Sequence, residues 1–415
     1  MAEYVIIGNG VAATACVEGI RSRDTVSPIT VVSGEKHPAY CRPLISYYLE
    51  GRTTIEKMRY RPADFYEKNG VKVLCGVKAN SVDAGAKTVA LDDGSSLSYT
   101  ALCVAAGSSP FVPPFKGLDT VEKKFSFMTI DDTLALEEAI TPESRVFIVG
   151  AGLIGLKCAE GIAERVKSVT VCDLAPRVLS SILDDTCAAI VQKRLEDHGF
   201  TFLLGDSADS FDGNTAHMKS GKDVEFDVLV LAIGVRANTK IVSAAGVECG
   251  RGITVDTGMH TSVKDIYAAG DCAEGMDITF GKNRVLAILP NAYMQGHCAG
   301  VNMAGGSEKF DNTIPMNSIG FFGYHIMTAG SYYGPDQGGE LYEKADGDTL
   351  RRMYTKDGYL TGYMLLGDVT RGGIYTSMVR NRIPLSEVDY EMLKEHATLA
   401  AFSPKYRKQK LGGVV

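Results

Sequence analysis

Two stretches of the chain run through apolar, largely β-branched residues straight into glycine-spaced turns. Val146-Phe147-Ile148-Val149 leads into Gly150-Ala151-Gly152-Leu153-Ile154-Gly155. An unbroken apolar run of that length predicts a strand buried on both faces. The Gly-x-Gly-x-x-Gly spacing predicts a tight turn, a backbone open to a pyrophosphate, and a helix packed closely on the strand. A helix over about 153–166 and a strand over 168–172 ending at Asp173 complete the unit. The chain also opens this way. Tyr4-Val5-Ile6-Ile7 leads into Gly8-Asn9-Gly10-Val11-Ala12-Ala13, with Ala13 in the place of the third glycine, followed by a strand over 29–32 and Glu35.

The pattern elsewhere fills in a mixed α/β chain. Residues 71–91 alternate apolar and polar and end at Asp92-Asp93-Gly94, which predicts a small antiparallel hairpin or meander. Leu102 to Ala106 returns as a buried strand, and Gly107-Ser108-Ser109-Pro110 is a loop. Pro113-Pro114 and Gly117 read as a crossover linker. Thr129 before Ile130-Asp131-Asp132 predicts a helix start, Asp184 to His198 a helix, and 226–234 a buried strand ending in Gly234. Ile266 to Asp271 predicts a strand ending in an acid at a helix start. From about residue 313 the chain turns Gly- and Tyr-rich, with strand-like runs at 350–354 and 360–366, an amphipathic stretch, and a basic tail of Lys405, Arg407, Lys408 and Lys410. This predicts a third, α+β, domain.

Each turn carries its own chemistry. The helix after it offers free N–H groups and the positive end of its dipole to phosphates. A carboxylate at the end of the next strand accepts hydrogen bonds from an adenosine ribose and repels a 2′-phosphate, so Asp173 favours NAD(H) over NADP(H). Two such sites imply two dinucleotides, and electron transfer between FAD and NAD is the economical reason for both. A non-catalytic NAD(H) sensor or assembly subunit needs only one.

Composition narrows the setting. A formal net charge of −7 disfavours general nucleic-acid binding. There is no apolar run of membrane-spanning length, and the N-terminus enters a strand with no basic start or cleavage signal, which predicts a cytoplasmic protein off the membrane. The ten cysteines include no C-x-x-C pair and no Cys/His cluster of metal-ligand spacing, so no metal site is expected.

Both glycine turns, Ala105-Ala106-Gly107-Ser108, Ala232-Ile233-Gly234-Val235-Arg236 and Ala268-Ala269-Gly270-Asp271-Cys272 together make the chain resemble the FAD/NAD pyridine-nucleotide disulfide oxidoreductase superfamily over essentially its whole length. Tyr40-Cys41-Arg42-Pro43-Leu44-Ile45-Ser46, Leu289-Pro290-Asn291-Ala292 and the stretch from Gly367 to Thr376 resemble NADH:rubredoxin and ferredoxin reductases and the flavin part of assimilatory nitrite reductase. The resemblance implies two Rossmann-like dinucleotide domains of glutathione-reductase type. The FAD domain would be split into 1–118 and 248–312, with an NAD domain at 119–247 inserted and a C-terminal α+β domain at 313–415. It implies that Gly8, Gly10 and Ala13 line the FAD pyrophosphate and that Glu35 holds the FAD adenosine ribose. Arg42 and Pro43 would lie near the flavin, and Asp271 would bind the ribityl–phosphate region, an N-cap role being compatible with that. Ala79, Ala106, Gly107, Asn291 and Phe322 complete the expected FAD site. Gly150, Gly152, Leu153, Ile154, Gly155, Asp173, Arg177 and Gly234 form the expected NAD site.

Three departures from the family pattern bear on the chemistry. The redox cysteine of the family's disulfide- and peroxide-reducing members falls on Pro43, with Cys41 two residues away. Cys41 is therefore either a thiol made nucleophilic by Arg42 or a half-buried loop residue. The lysine that ferredoxin-reductase relatives carry after the serine, and its glutamate partner on the NAD helix, fall on Tyr47 and Lys157. Lys157 would then bring the cation from the NAD side to stabilise reduced flavin, the bland reading being a lysine snorkelling to solvent. Ala106 stands where the family usually has Thr. Phe321 or Phe322 either shields the flavin or is plain core, and His297 and His325 are read as structural. The implied activity is FAD-dependent NAD(H):acceptor oxidoreduction with an iron–sulfur or rubredoxin-like partner protein or larger complex. Lys157, Arg42 and Cys41 are the catalytic candidates, the basic tail is a candidate docking strip, and a homodimer stays open. The alternative is a thiol-dependent NADH oxidase, peroxidase or disulfide reductase using Cys41.

Overall fold

The computed structural model describes residues 2–411. The chain divides into two compact units. The first runs to Gly275 and takes in Asn283–Phe310. The second holds Met276–Lys282 and the chain from Asp311 on.

The first unit is built on two parallel five-stranded sheets. In one, β1 (Tyr4–Ile7) is central, flanked by β2 (Ile29–Ser33) and β3 (Val71–Cys75) on one side. On the other side lie β4 (Ala101–Val104) and β10 (Ile266–Ala268), so that the strand order is β10-β4-β1-β2-β3. The last strand comes from far along the chain: Ile266 pairs with Leu102 and Ala268 with Val104. The second sheet uses β5 (Lys124–Phe125), β6 (Arg145–Val149), β7 (Ser168–Asp173), β8 (Phe200–Leu204) and β9 (Val228–Leu231), in the order β8-β7-β6-β9-β5. Both central strands are buried along their apolar runs, as strands covered on both faces must be.

Three helices position the turns. α1 (Val11–Arg21) follows β1, α4 (Leu153–Ile162) follows β6, and α5 (Leu289–Met303) lies against α1. The α1–α5 contact is backbone on backbone. A Cβ on Gly296 would stand 2.1 Å from the Ala12 carbonyl oxygen, one on Gly300 2.1 Å from that of Cys16, and one on Gly19 2.3 Å from that of His297. Only glycine permits helices to approach this closely. Two further helices matter: α2 (Ile45–Leu49), between β2 and β3, packs on α4, and α3 (Ile130–Ala139), between β5 and β6, starts at Thr129 with a complete capping box to Asp132.

Three readings of the pattern change. Of the alternating stretch 71–91, Val71–Cys75 is the fifth parallel strand, and the antiparallel meander is Ala79–Asp83, Thr88–Leu91 and Ser96–Ser98. Alternation does not separate an edge strand from a hairpin arm. The helix after the second turn is shorter than 153–166, giving way to a 3₁₀ turn at Ala163–Arg165. Asp271 lies in a 3₁₀ turn, Gly270–Cys272, and not at a helix start.

The second unit is a five-stranded antiparallel sheet covered by short helices. Its strands are β11 (Met316–Phe321), β12 (Tyr324–Gly330), β13 (Glu340–Asp346), β14 (Thr349–Lys356) and β15 (Tyr359–Leu366), ordered β11-β12-β15-β14-β13. α6 (Gly373–Arg380) packs Tyr375, Met378 and Val379 into a core with Tyr363 and Leu393, and α7 (Pro404–Leu411) closes the described chain. No helix among the described residues is long and apolar enough to cross a membrane.

The α1–α5 contact generates a stability prediction. Gly300→Ala places a methyl against a backbone carbonyl and should destabilise the first unit by about 2 kcal/mol. Thermal unfolding followed by circular dichroism should show a clearly lowered midpoint, whereas Gly85→Ala, at an exposed turn without a left-handed φ and with only the Asp83 carboxylate at 3.4 Å, should move it much less. Equal shifts would mean the helices can part without cost.

Candidate functional site

The two glycine turns repeat one geometry. Gly8 has φ +107° and Gly150 φ +119°, and a Cβ on either would stand 2.0 Å from the Ala105 carbonyl oxygen or 2.3 Å from that of Ala232. These two glycines seat the turn on the neighbouring strand end. Gly10 and Gly152 do the opposite job: each N-caps its helix, and a Cβ on either would meet nothing within 4 Å. The backbone there faces open space, and neither helix has a side-chain cap. Uncapped first-turn N–H groups in front of an open cradle are the arrangement that binds phosphate. Ala13 is fully buried. Gly155 lies so close to Gly150 that a Cβ would stand 2.0 Å from its carbonyl oxygen, which leaves Leu153 and Ile154 half-buried in the first turn of α4.

A second sign of a ligand sits beside the first cradle. The Asn9 side-chain nitrogen is buried without a hydrogen-bond partner among the described residues, while its oxygen accepts from the Tyr66 hydroxyl. A buried unpaired donor costs about 1–3 kcal/mol, so a group that accepts from it is expected there. The cradle, this donor and Glu35 on the next strand end fit a dinucleotide such as FAD.

The two carboxylates are held by partners. Glu35 accepts from the Tyr40 hydroxyl at 2.7 Å and from Arg42 at 2.7 Å. Asp173 accepts from Ala151 N–H on one oxygen at 2.7 Å and from Ala175 N–H on the other at 2.8 Å, which fixes it against the second glycine turn. An ionised carboxylate has about four acceptor positions, so both keep lone pairs for ribose hydroxyls. Arg177 instead ties the loop after Asp173 to the next helix, donating to the Leu183 carbonyl at 3.1 Å and to Asp185 at 2.9 Å.

The loop from Ala105 to Pro110 is cross-tied to the segment after Gly234. Asn238 donates from its backbone to the Gly107 carbonyl at 3.0 Å and from its side chain to that of Ala106 at 2.9 Å. Gly107 and Gly234 have φ of +64° and +126° with open space beside them. Ser108 donates to Asp271 at 3.4 Å. Burial pushes the Asp271 carboxyl up from the usual range, and the nearby Arg42 charge pulls the other way. Asn291 is fully buried in the first turn of α5, and Ala79 is half-buried at the start of the meander.

Lys157 does not snorkel. Its side chain is 15% exposed and pairs with Glu160 on its own helix, with Glu50 after α2 at 3.7 Å. Its ammonium lies 4.8 Å from the centre of the Tyr47 ring, and Arg52 stacks on that ring at 4.5 Å while bonding Glu50 at 2.8 Å. The cation brought by α4 thus meets its counter-charge from the α2 side. Sequence reading missed Glu50 and the new use of Tyr47, because nothing local marks a charge whose partner lies a hundred residues away; Glu160, three residues on in the same helix, carried the local i, i+3 signal and was missed as well.

The structure favours the second of the two readings of Cys41. Arg42 does not activate Cys41: its guanidinium is engaged by Glu35 and by the Met128 carbonyl at 2.6 Å, and burial pushes the Cys41 thiol up. Phe321 is buried, 1% exposed, at the end of β11, and Phe322 is at the tip of the β11–β12 hairpin with φ +46°. Pro43 is exposed in the turn Arg42–Leu44. Among the described residues no His, Cys, Asp and Glu group has the makings of a metal site.

A model of the family described as "Pyridine nucleotide-disulphide oxidoreductase" matches residues 2–296. The chain is 31% identical, over 92% of its length and 93% of the relative's, to the NADH-dependent phenylglyoxylate dehydrogenase subunit epsilon of Aromatoleum evansii. It is 34% identical to the NADH oxidase of Methanocaldococcus jannaschii, over 74% of this chain and 71% of that one. It spans about half the length of the nitrite reductase (NAD(P)H) of Bacillus subtilis, 29% identical over 93% of this chain and 48% of that protein. In fold it matches a chain of the covalent putidaredoxin reductase–putidaredoxin complex with a TM-score of 0.86 at 20% identity, over 100% of this chain and 99% of that one.

The Cys41 environment generates a pH prediction. A thiol raised by burial is a minor thiolate at neutral pH, and its reactivity climbs with pH through and beyond the ordinary value of 9.0. In iodoacetamide labelling mapped by mass spectrometry, exposed Cys75 should react well ahead of Cys41 at pH 7. Cys41 labelling that is fast at pH 7 and flat above it would instead mean an activated thiolate.

Proposed function

The chain belongs to the pyridine nucleotide-disulphide oxidoreductases, and from that premise we propose that it exchanges hydride with NADH and passes electrons singly to or from an iron–sulfur or rubredoxin-type protein or subunit. It is an NAD(H)-dependent flavoprotein oxidoreductase, with FAD and NAD(H) as its cofactors. The observation that carries the finer reading is the pair of open, uncapped glycine turns within one compact unit, each followed by a strand-end carboxylate.

In this reading residues 1–118 and 248–312 form the FAD domain, 119–247 the NAD domain inserted in it, and 313–415 a further domain. The pairing of β10 with β4 supports the split. When bound, FAD supplies the conversion between a two-electron hydride donor and one-electron partners. The protein supplies placement and charge. Gly8, Gly10 and Ala13 line the FAD pyrophosphate and Glu35 takes its adenosine ribose. Arg42, set between Glu35 and Asp271, offers its charge to the phosphates. Gly150, Gly152 and Gly155 do for NAD what the first turn does for FAD, and Asp173 selects against a 2′-phosphate. Lys157, held at the α2–α4 contact, is a positive charge that favours the reduced, anionic flavin and orients the nicotinamide.

The relatives named as a dehydrogenase subunit and as a reductase captured with putidaredoxin support a protein partner. The exposed Lys405, Arg407 and Lys408 on α7 are the proposed docking strip for an acidic partner; the Lys410 side chain lies outside the described residues. The thiol-dependent alternative finds no support in the protonated, half-buried Cys41.

Anaerobic reductive titration should consume about two electrons per flavin, the capacity of FAD alone. Uptake of about four, with a long-wavelength thiolate–flavin band on reduction, would mean that Cys41 is held oxidised as a sulfenic acid, takes two electrons to return to the thiol with release of water, and is a second redox centre, and would replace this reading with the thiol-dependent one. In stopped flow, Lys157→Met should slow flavin reduction by NADH roughly tenfold or more while flavin content stays at the parent level. Unchanged kinetics would remove Lys157 from the mechanism.

A further inference from the structure

The carboxylate read above as the FAD ribose ligand is the hub of a hydrogen-bond relay that leaves the first glycine turn altogether. The Tyr40 hydroxyl donates its proton to Glu35 and accepts, at 3.3 Å, the backbone N–H of Ile130. Arg42 bonds Glu35 through one terminal nitrogen and the Met128 carbonyl through the other. A third side chain of the same loop, His37, meets Asp131 at 2.7 Å. All three end on residues 128–131, the capped first turn of α3, which lies between β5 and β6 of the second sheet.

The roles within the relay are forced. A hydroxyl has a single proton, and since the Ile130 N–H can only donate, that proton goes to Glu35. The Tyr40 side chain is 7% exposed, and burial pushes its phenol up, so it stays a donor across the working pH range. Tyr40 and Arg42 take one acceptor position on each Glu35 oxygen and leave the others, so they fix the carboxylate's rotation without filling it. A fixed acceptor binds a diol better than a rotating one, because the ordering has been done before the ligand arrives.

We infer that Tyr40 is a positioning residue for FAD, setting the Glu35 carboxylate toward the adenosine ribose and linking it to the first turn of α3. The inference rests on Glu35 being the ribose residue of the proposed FAD site. It predicts that the flavin site and α3 stiffen together.

The test is the rate of FAD release from the holoprotein, followed by free-flavin fluorescence, in the parent, Tyr40→Phe, Glu35→Ala and the double variant. Tyr40→Phe should speed release roughly tenfold, as expected for loss of a hydrogen bond to a charged group. In the Glu35→Ala background, which leaves the hydroxyl no acceptor there, the same change should add little, because Tyr40 acts through that carboxylate. A parent-like rate in Tyr40→Phe overturns the inference, and so does a full additive effect in the Glu35→Ala background, which would mark Tyr40 as a plain packing residue. Glu35→Ala releasing FAD at the parent rate removes the premise and the inference with it, while the two-electron titration above stands or falls separately. Should Tyr40→Phe fail to fold, hydrogen exchange of the parent decides: FAD removal should deprotect the Ile130 amide, and unchanged exchange there overturns the link to α3.

Discussion

The first unit depends on backbone packed directly on backbone. Where α1 meets α5, three glycines bring carbonyl oxygens to distances that no side chain tolerates. That contact sets the depth of α1, and α1 carries the first open turn at its N-terminus. The same device recurs at Gly8 and Gly150, each set on the end of a neighbouring strand. Gly10 and Gly152 are open because other glycines have taken up the steric load.

The second theme is charge carried across element boundaries. Lys157 leaves the second glycine helix and finds Glu50 beyond α2; Arg42 and Tyr40 leave the first strand-end carboxylate and find the cap of α3. These are partly buried contacts, where solvent screening is weak and geometry counts. The parts that would hold one dinucleotide are therefore tied to the parts that would hold the other through α2, α3 and α4, and not only through the connecting chain.

Much of this was legible in the sequence because its signals are local. An apolar run, two glycines at fixed spacing and an acid at the next strand end need no knowledge of distant residues, and β1, β6, Glu35 and Asp173 lie where those signals put them. The Thr129 capping box is equally local. The alternation over 71–91 was ambiguous because an edge strand of a parallel sheet and a hairpin arm both solvate one face. The environment of Cys41 stayed open in the sequence because nothing local shows that Arg42, its neighbour, is drawn away by Glu35 and Met128. Tyr40 and Glu50 drew no attention as functional residues: a tyrosine whose partner is a backbone amide at residue 130, and a glutamate whose partner is a lysine at 157, look in one dimension like any surface residue.

The pairing of β10 with β4 has a consequence for how the chain acquires its structure. The strand that completes the first sheet leaves the ribosome only after the whole second sheet has been made. Closing so long a loop as a random coil carries an entropy cost that grows with the logarithm of its length. A second sheet that has already folded brings Val104 and Ile266 within reach of each other and turns a long loop into a short one. Until β10 has been made, the first sheet has the β4 edge unpaired. An unpaired edge of that kind is open during synthesis to mispairing with another copy of the chain.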